Sequence, residues 1–195
     1  SILPPLLKSY NDLHPRISLA VQDVSGERVM DALRTHAAEL AFSYAPGAKD
    51  LIIRPVFRDR LVVVCRSDLA PAAGNKMNWR DLAGRPVIAM ARGTTIRALT
   101  DGAAASVDVP LNLVLEPELM PTAFACAQTG LGLAILPSSF APRRASGDLR
   151  TYALVEPEIE RTISLFHLKQ YPLTPAATAL SEHILRHASS IEFHQ

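Results

Sequence analysis

The chain has 195 residues, 48% of them apolar and 20% charged, with a formal net charge of +1. That length can bury a sizeable core as one domain or two small lobes, and the near-zero charge lacks the electrostatic footprint of a nucleic-acid binder. With no repeat, no low-complexity tract and no apolar run long enough to span a membrane, the composition is that of a soluble globular protein.

Ile2, Leu3, Leu6, Leu7, Tyr10 and Leu13 recur at helical spacing. Pro4 and Pro5 fall in the first turn, where proline is tolerated, and His14-Pro15 marks the stop. Ile17, Leu19 and Val21 alternate with Arg16, Ser18 and Ala20 as a strand. Ser25 is placed to cap a helix whose apolar face is Val29, Met30 and Leu33. Leu40 to Tyr44 is then the second strand of a β-α-β unit, parallel to the strand at 17.

Leu51 to Phe57 and Leu61 to Cys65 read as two strands joined at Arg58-Asp59-Arg60, followed by a polar loop from Ser67 to Lys76. Asn78 caps a short helix through Leu82. Pro86 to Met90 is a strand that delivers Ala91-Arg-Gly-Thr-Thr95 to a helix from Ile96 to about Ala105. The first turn of such a helix presents free N–H groups and the positive end of its dipole, and the hydroxyls of Thr94 and Thr95 add donors. A carboxylate fits that geometry; so does plain helix capping.

Leu111 to Leu115 is the next strand. Pro121 opens a helix with Ala123, Phe124 and Ala127 on one face, and Gly130 is sited as a left-handed cap. Leu131 to Leu136 is a continuous apolar run, the pattern of a strand covered on both faces. Gly130 and Gly132 thus come in the order helix, glycines, strand. A dinucleotide cradle needs the reverse, so no nucleotide is expected there. Ser138 to Phe140 is a turn of helix. Arg143 and Arg144 lie on a loop, as solvated surface or anion contact. Leu149 to Leu154 and Thr162 to Leu168 are the last strands, and Pro175 to about Ala188 is a closing helix.

Cys65 and Cys126 sit in apolar stretches and fit a reducing compartment, although a disulfide stays open. Asp23, Glu27, Glu39, Asp59, Glu116 and Glu118 stand at no spacing from a histidine or cysteine that suggests a catalytic set. We therefore expect neither an enzyme nor a bound metal or cofactor. His183 and His187, four apart on the closing helix, admit a metal pair, yet no glutamate base lies between them and a solvated face is the simpler reading. No basic segment followed by an apolar one opens the chain, so no signal peptide is expected.

The fold class expected is α/β with two Rossmann-like lobes joined by two crossing strands. Residues 1–64 and 166–195 form the first lobe, and 65–165 the second. The crossing strands are Leu61 to Arg66 going out and Thr162 to Leu168 coming back, and the cleft between the lobes is the default place for a small ligand.

Leu3-Pro4, His14-Pro15, Val29-Met-Asp-Ala-Leu33, Glu39-Leu-Ala-Phe42, Pro55-Val-Phe-Arg-Asp-Arg-Leu-Val-Val-Val64, Trp79-Arg-Asp-Leu82, Gly130-Leu-Gly-Leu-Ala-Ile-Leu-Pro137 and Leu173-Thr-Pro-Ala-Ala177 follow one another in an order that resembles the effector-binding domain of LysR-type transcriptional regulators. The likeness runs the length of the chain. It implies a fold like a type 2 periplasmic binding protein, a small metabolite in the interlobe cleft, a cytoplasmic location, and a homodimer or homotetramer. Promoter DNA would be bound only through an N-terminal winged helix-turn-helix, which this sequence lacks, as it lacks the family's strand and turn before Ser1.

By position, the resemblance assigns ligand contacts to Ser25 and Gly26, Ser43 and Tyr44, Thr94 and Thr95, and Leu119 and Met120, with Phe166 nearby on the returning strand. Such a site suits a small organic acid, its carboxylate near Thr95 and its body against Tyr44 or Met120. Leu6, Tyr10 and the helix after Pro121 are apolar enough to join two copies. The alternative is a solute-binding protein of a transport system, which shares the fold and needs an export signal.

Overall fold

The computed structural model describes residues 2–24, 27–44, 47–71, 74–141 and 147–188. The chain divides into two compact units: unit 1 is Ser1–Arg58 with Arg161–Gln195, and unit 2 is Asp59–Glu160. Both divisions fall inside strands, one in β2 (Leu51–Arg66) and one in β8 (Glu160–Leu168).

Unit 1 carries α1 (Leu3–Leu13), α2 (Glu27–Arg34), β1 (Ala41–Tyr44), the first part of β2, most of β8 and α5 (Pro175–His187). Its strands stand in the order β1-β8-β2, with β1 antiparallel to β8 from Ala41 opposite Phe166 to Tyr44 opposite Ile163. Successive side chains of a strand point to opposite faces, and β8 uses both. Leu165 packs with Ile2 and Leu6 of the α1 region and Ile184 of α5, whereas Phe166 and Leu168 pack with Leu33 of α2, Ala41 and Leu51. Helices therefore cover the small sheet on both sides.

Unit 2 is built on a mixed sheet. Here β4 (Pro86–Ile88) lies between β5 (Asn112–Leu115) and β6 (Leu133–Pro137), parallel to both. On the far side of β6 runs the second part of β2, antiparallel to it and to β7 (Leu149–Val155), and β3 (Lys76–Asn78) pairs parallel with β7. Helices α3 (Thr95–Ser106) and α4 (Met120–Gln128) are the crossovers between the parallel strands. Leu61 to Cys65 and Leu133 to Leu136 are buried without interruption, as strands covered on both faces must be. Trp79 completes this core, its indole N–H donating to Pro157 O at 2.9 Å.

Several expectations are corrected. Residues 17–24 form no strand: Val21 is 60% exposed and Ile17 and Leu19 are only partly covered, because alternation supplies a face but not a ladder partner. Consequently β1 is not the parallel second strand of a β-α-β unit but the antiparallel neighbour of β8. The two strands expected around Arg58-Asp59-Arg60 are one continuous β2. That polar triple resembles a turn, yet Asp59 is buried and accepts hydrogen bonds from Ser138 Oγ at 2.8 Å and from the backbone N–H and hydroxyl of Ser139 at 3.0 and 2.9 Å. The loop expected over 67–76 contains a one-turn 3₁₀ segment, Ser67–Leu69, and runs into β3. Leu6 and Tyr10, expected on a surface between copies, are buried inside unit 1, where the Tyr10 hydroxyl donates to Ala176 O at 2.9 Å.

Candidate functional site

Three parallel strands of unit 2 end at one edge of the sheet, and three loops leave from there. The loop after β4 leads through Gly93, at φ +86°, to Thr94 at the start of α3. The loop after β5 leads through Glu116 and Pro117 to Met120 at the start of α4. The segment after β6 begins with Ser138 and Ser139. The first two loops are laced together by backbone bonds, Ala89 N–H to Leu115 O at 3.2 Å and Ala91 N–H to Pro117 O at 2.9 Å. Two helix N-termini thus open from the carboxyl edge of a parallel sheet, the edge where α/β proteins take their ligands.

Thr94 is the N-cap of α3. Its hydroxyl accepts from Arg97 N–H at 3.2 Å and donates to Ala91 O at 2.9 Å. The amides of Thr95 and Ile96 come before the intrahelical ladder and are the donors such a terminus leaves for an anion. α4 has no side-chain cap: Leu119 is its N-cap residue and is 61% exposed, Met120 packs against the unit 2 core, and proline follows in the first turn.

Arg97 joins these pieces. Its guanidinium, 4% exposed, donates to Met90 O at 3.2 Å, to both Asp101 carboxylate oxygens at 2.7 and 2.9 Å, and to Glu116. The Arg97 hydrogen bond pulls the Glu116 carboxyl below the usual carboxylate range against some desolvation, with the charges of Arg97 and Arg92 adding to the effect. Reciprocally, Glu116 and then Asp101 hold the Arg97 guanidinium above its ordinary value. Sequence reading missed Arg97 and treated Glu116 only as a carboxylate without a catalytic partner. The available signal was an arginine between Ile96 and Ala98, four residues before an aspartate.

The remaining sequence-derived residues belong to unit 1 or fall outside the described residues. Ser43 and Tyr44 end β1 in unit 1, opposite Ser164 and Ile163; Ser43 is half-buried and Tyr44 is 39% exposed. Phe166 is 1% exposed, its ring committed to the core beside Leu33 and Leu51. Ser25, Gly26, Arg143 and Arg144 lie outside the described residues. Among the described residues no group of three or more His, Cys, Asp or Glu side chains is arranged to hold a metal ion. No helix among them is long and apolar enough to cross a membrane.

The model of the LysR substrate binding domain matches residues 1–189. The chain belongs to this family. Among curated proteins it is 24% identical over 176 residues to the uncharacterized HTH-type transcriptional regulator YbhD of Escherichia coli K12, covering 90% of this domain and 56% of that protein. The HTH-type transcriptional regulator GltR of Bacillus subtilis is 22% identical over 186 residues, covering 95% and 62%. The domain therefore spans little more than half the length of these relatives. Among solved structures, the effector binding domain of QuiR in complex with shikimate superposes with a TM-score of 0.82 at 20% identity, covering 97% of this domain and 91% of that chain. The regulatory domain of CcmR from Synechocystis PCC6803, in complex with 2-PG, gives 0.86 at 18% identity, covering 97% and 92%. The fold is thus that of LysR-type effector-binding domains, the α/β class read from the sequence.

Proposed function

We propose that this domain is the sensing part of a longer LysR-type transcriptional regulator, and that it takes a small organic acid at the carboxyl edge of the unit 2 sheet. The observation that carries the reading is the pair of helix N-termini, α3 and α4, fastened to each other there. The carboxylate rests on the free first-turn amides of α3 with the Thr95 hydroxyl beside it, and Met120 offers an apolar flank. Helix dipoles and fixed N–H groups favour an anion without a counter-charge, which suits an effector that must bind and leave. Shikimate in QuiR and 2-PG in CcmR support a ligand of small size.

The domain acts by binding, not by chemistry: a ligand with different affinities for two arrangements of the regulator shifts their populations. Promoter contact belongs to a segment outside this sequence, and two or four copies assemble in the cytoplasm. A transport receptor is the weaker reading, since the curated relatives cited are transcriptional regulators.

Calorimetry with a panel of small carboxylic acids, shikimate and 2-PG included, tests the site. The informative variant is Thr95→Pro. Proline is well tolerated at the first helical position, and Thr94 already has the extended backbone that precedes proline, at φ −87° and ψ 146°. The change removes one amide donor and one hydroxyl while keeping the helix. Binding weakened about ten-fold or more is expected; wild-type affinity in Thr95→Pro and in the Thr94→Ala, Thr95→Ala double variant would sink the assignment.

A further inference from the structure

The two histidines of α5 play no part in the effector reading, and the structure leaves only His187 on a solvated face while it buries His183. α1 packs on α5 within unit 1, and a line of four rings runs along the seam. His14 and Tyr10 have ring centroids 4.6 Å apart, Tyr10 and His183 5.6 Å, and His183 and His187 4.3 Å. Tyr10 is fully buried and His183 is 3% exposed, while His14 and His187 lie at the surface.

His183 is tied to α1 through Ser9. Its Nε2 lies 2.7 Å from Ser9 Oγ, and the Ser9 hydroxyl donates to Leu6 O at 3.0 Å. We take the Ser9 proton to rest on Leu6 O, in which case Ser9 Oγ accepts from the Nε2–H of His183. A second ring proton would add a charge deep in the seam. The titratable and charged groups facing it are His14 from α1 and His187 and Arg186 from α5. Each is a cation or becomes one on protonation. The one acidic residue of α1, Asp12, is occupied in solvent by Lys8 at 2.6 Å, and the one acidic residue of α5, Glu182, is exposed.

We propose that the α1–α5 seam is an acid-sensitive joint: protonation of His183 places a buried charge among these cationic neighbours, with no acidic side chain of α1 or α5 to offset it, and releases α1 from α5. Burial, reinforced by His187, Arg186 and His14 and only partly opposed by a hydrogen bond to the Leu6 backbone, holds the imidazole below its ordinary value of 6.5. The unfolded chain therefore takes up the proton more readily than the folded one, so stability rises with pH. The contribution of neutral His183 is complete above pH 6.5 and is lost as the pH falls below it. The domain acquires a response to pH that is independent of its effector.

The test combines an NMR titration of the His183 ring with hydrogen exchange of the whole chain between pH 7.5 and 5. Protection of the α1 amides from Leu6 to Tyr10, corrected for intrinsic chemistry, is expected to fall by up to about ten-fold per pH unit below 6.5, with β4 amides of unit 2 as the unchanged control. His183→Gln keeps a donor for Ser9 and takes up no charge, so α1 protection in that variant becomes independent of pH. Two results overturn the proposal: a His183 ring that titrates at its ordinary value, or α1 protection that falls equally in His183→Gln. Should that variant fail to fold, the wild-type ring titration decides alone.

Discussion

Arg97 on α3 and Glu116 on the loop before α4 are nineteen residues apart and form an ion pair in which the guanidinium is 4% exposed. Because Arg97 also reaches Met90 O and Asp101, one side chain joins the end of β4, the first turns of α3 and the approach to α4. The relative placement of the two helix N-termini is thereby set by a buried cation and not by backbone alone.

That pair makes a pH prediction. The folded-state pKa of Glu116 is depressed from its ordinary value of 4.5, mainly by the Arg97 hydrogen bond. Its stabilisation is present above pH 4.5 and is lost as the pH falls through the lower, folded value. Thermal melts from pH 7 to pH 3 are expected to show a shallower acid limb in Glu116→Gln than in wild type. An identical limb would mean the pair contributes nothing to folding.

Three glycines separate three physical situations. Gly132 lies against β4, and an added Cβ would sit 2.8 Å from the Pro86 carbonyl oxygen, which belongs to a sheet strand. Gly132→Ala is expected to cost about 1–3 kcal/mol by overpacking. Gly130 has φ +82° and a Cβ there would meet the movable Arg66 guanidinium at 2.7 Å, so Gly130→Ala costs about 1–2 kcal/mol, chiefly from the left-handed backbone. Gly102 lies inside α3 with open space around it, and Gly102→Ala should stabilise by about 0.5–1 kcal/mol. Urea denaturation of the three variants checks the ranking.

The cysteines should differ in reactivity. Burial pushes the Cys65 thiol up to about 11, with Arg85 opposing and Asp68 assisting. Since the thiolate is the reactive species, native protein at pH 7.5 treated with iodoacetamide is expected to be alkylated at the partly exposed Cys126 and spared at Cys65. Mass spectrometry of the tryptic peptides reads the outcome directly.

Local pattern made much of the fold legible. α1, α4, β6 and α5 follow from helical spacing, proline placement, the Gly130 stop and an unbroken apolar run, all contained within short windows. What escaped depends on partners far along the chain. Asp59 looks like a turn residue until Ser138 and Ser139, 79 and 80 positions away, are seen to satisfy it. Ile17 to Val21 has the alternation of a strand and no ladder, while β1 finds its partner in β8. In the candidate site, Thr94 announces itself by cap chemistry, but Arg97 acts through Glu116 and reads in the sequence as surface charge. His183 looked solvated for the same reason: the helix that buries it lies at the other end of the sequence.

Trp79 is the only tryptophan, and it reports on unit 2. Fully buried, with its N–H on Pro157 O, it should emit at short wavelength and shift to the red when unit 2 unfolds. Trp79→Phe removes the donor to that carbonyl and is expected to destabilise unit 2 by about 1–3 kcal/mol. Urea titration followed by circular dichroism measures the loss.

The division of β2 and β8 between the units bears on the order of events at the ribosome. Unit 2 is one uninterrupted stretch, Asp59–Glu160, and all its partners have been made before α5 emerges. α1 is made early, yet Tyr10 must wait for Ala176, 166 residues downstream, and Ser9 for His183, 174 downstream. Through that interval Leu6 and Tyr10 are bare to chaperones and proteases, so the helix of this domain that is translated before its other elements is among the last of them to be sheltered.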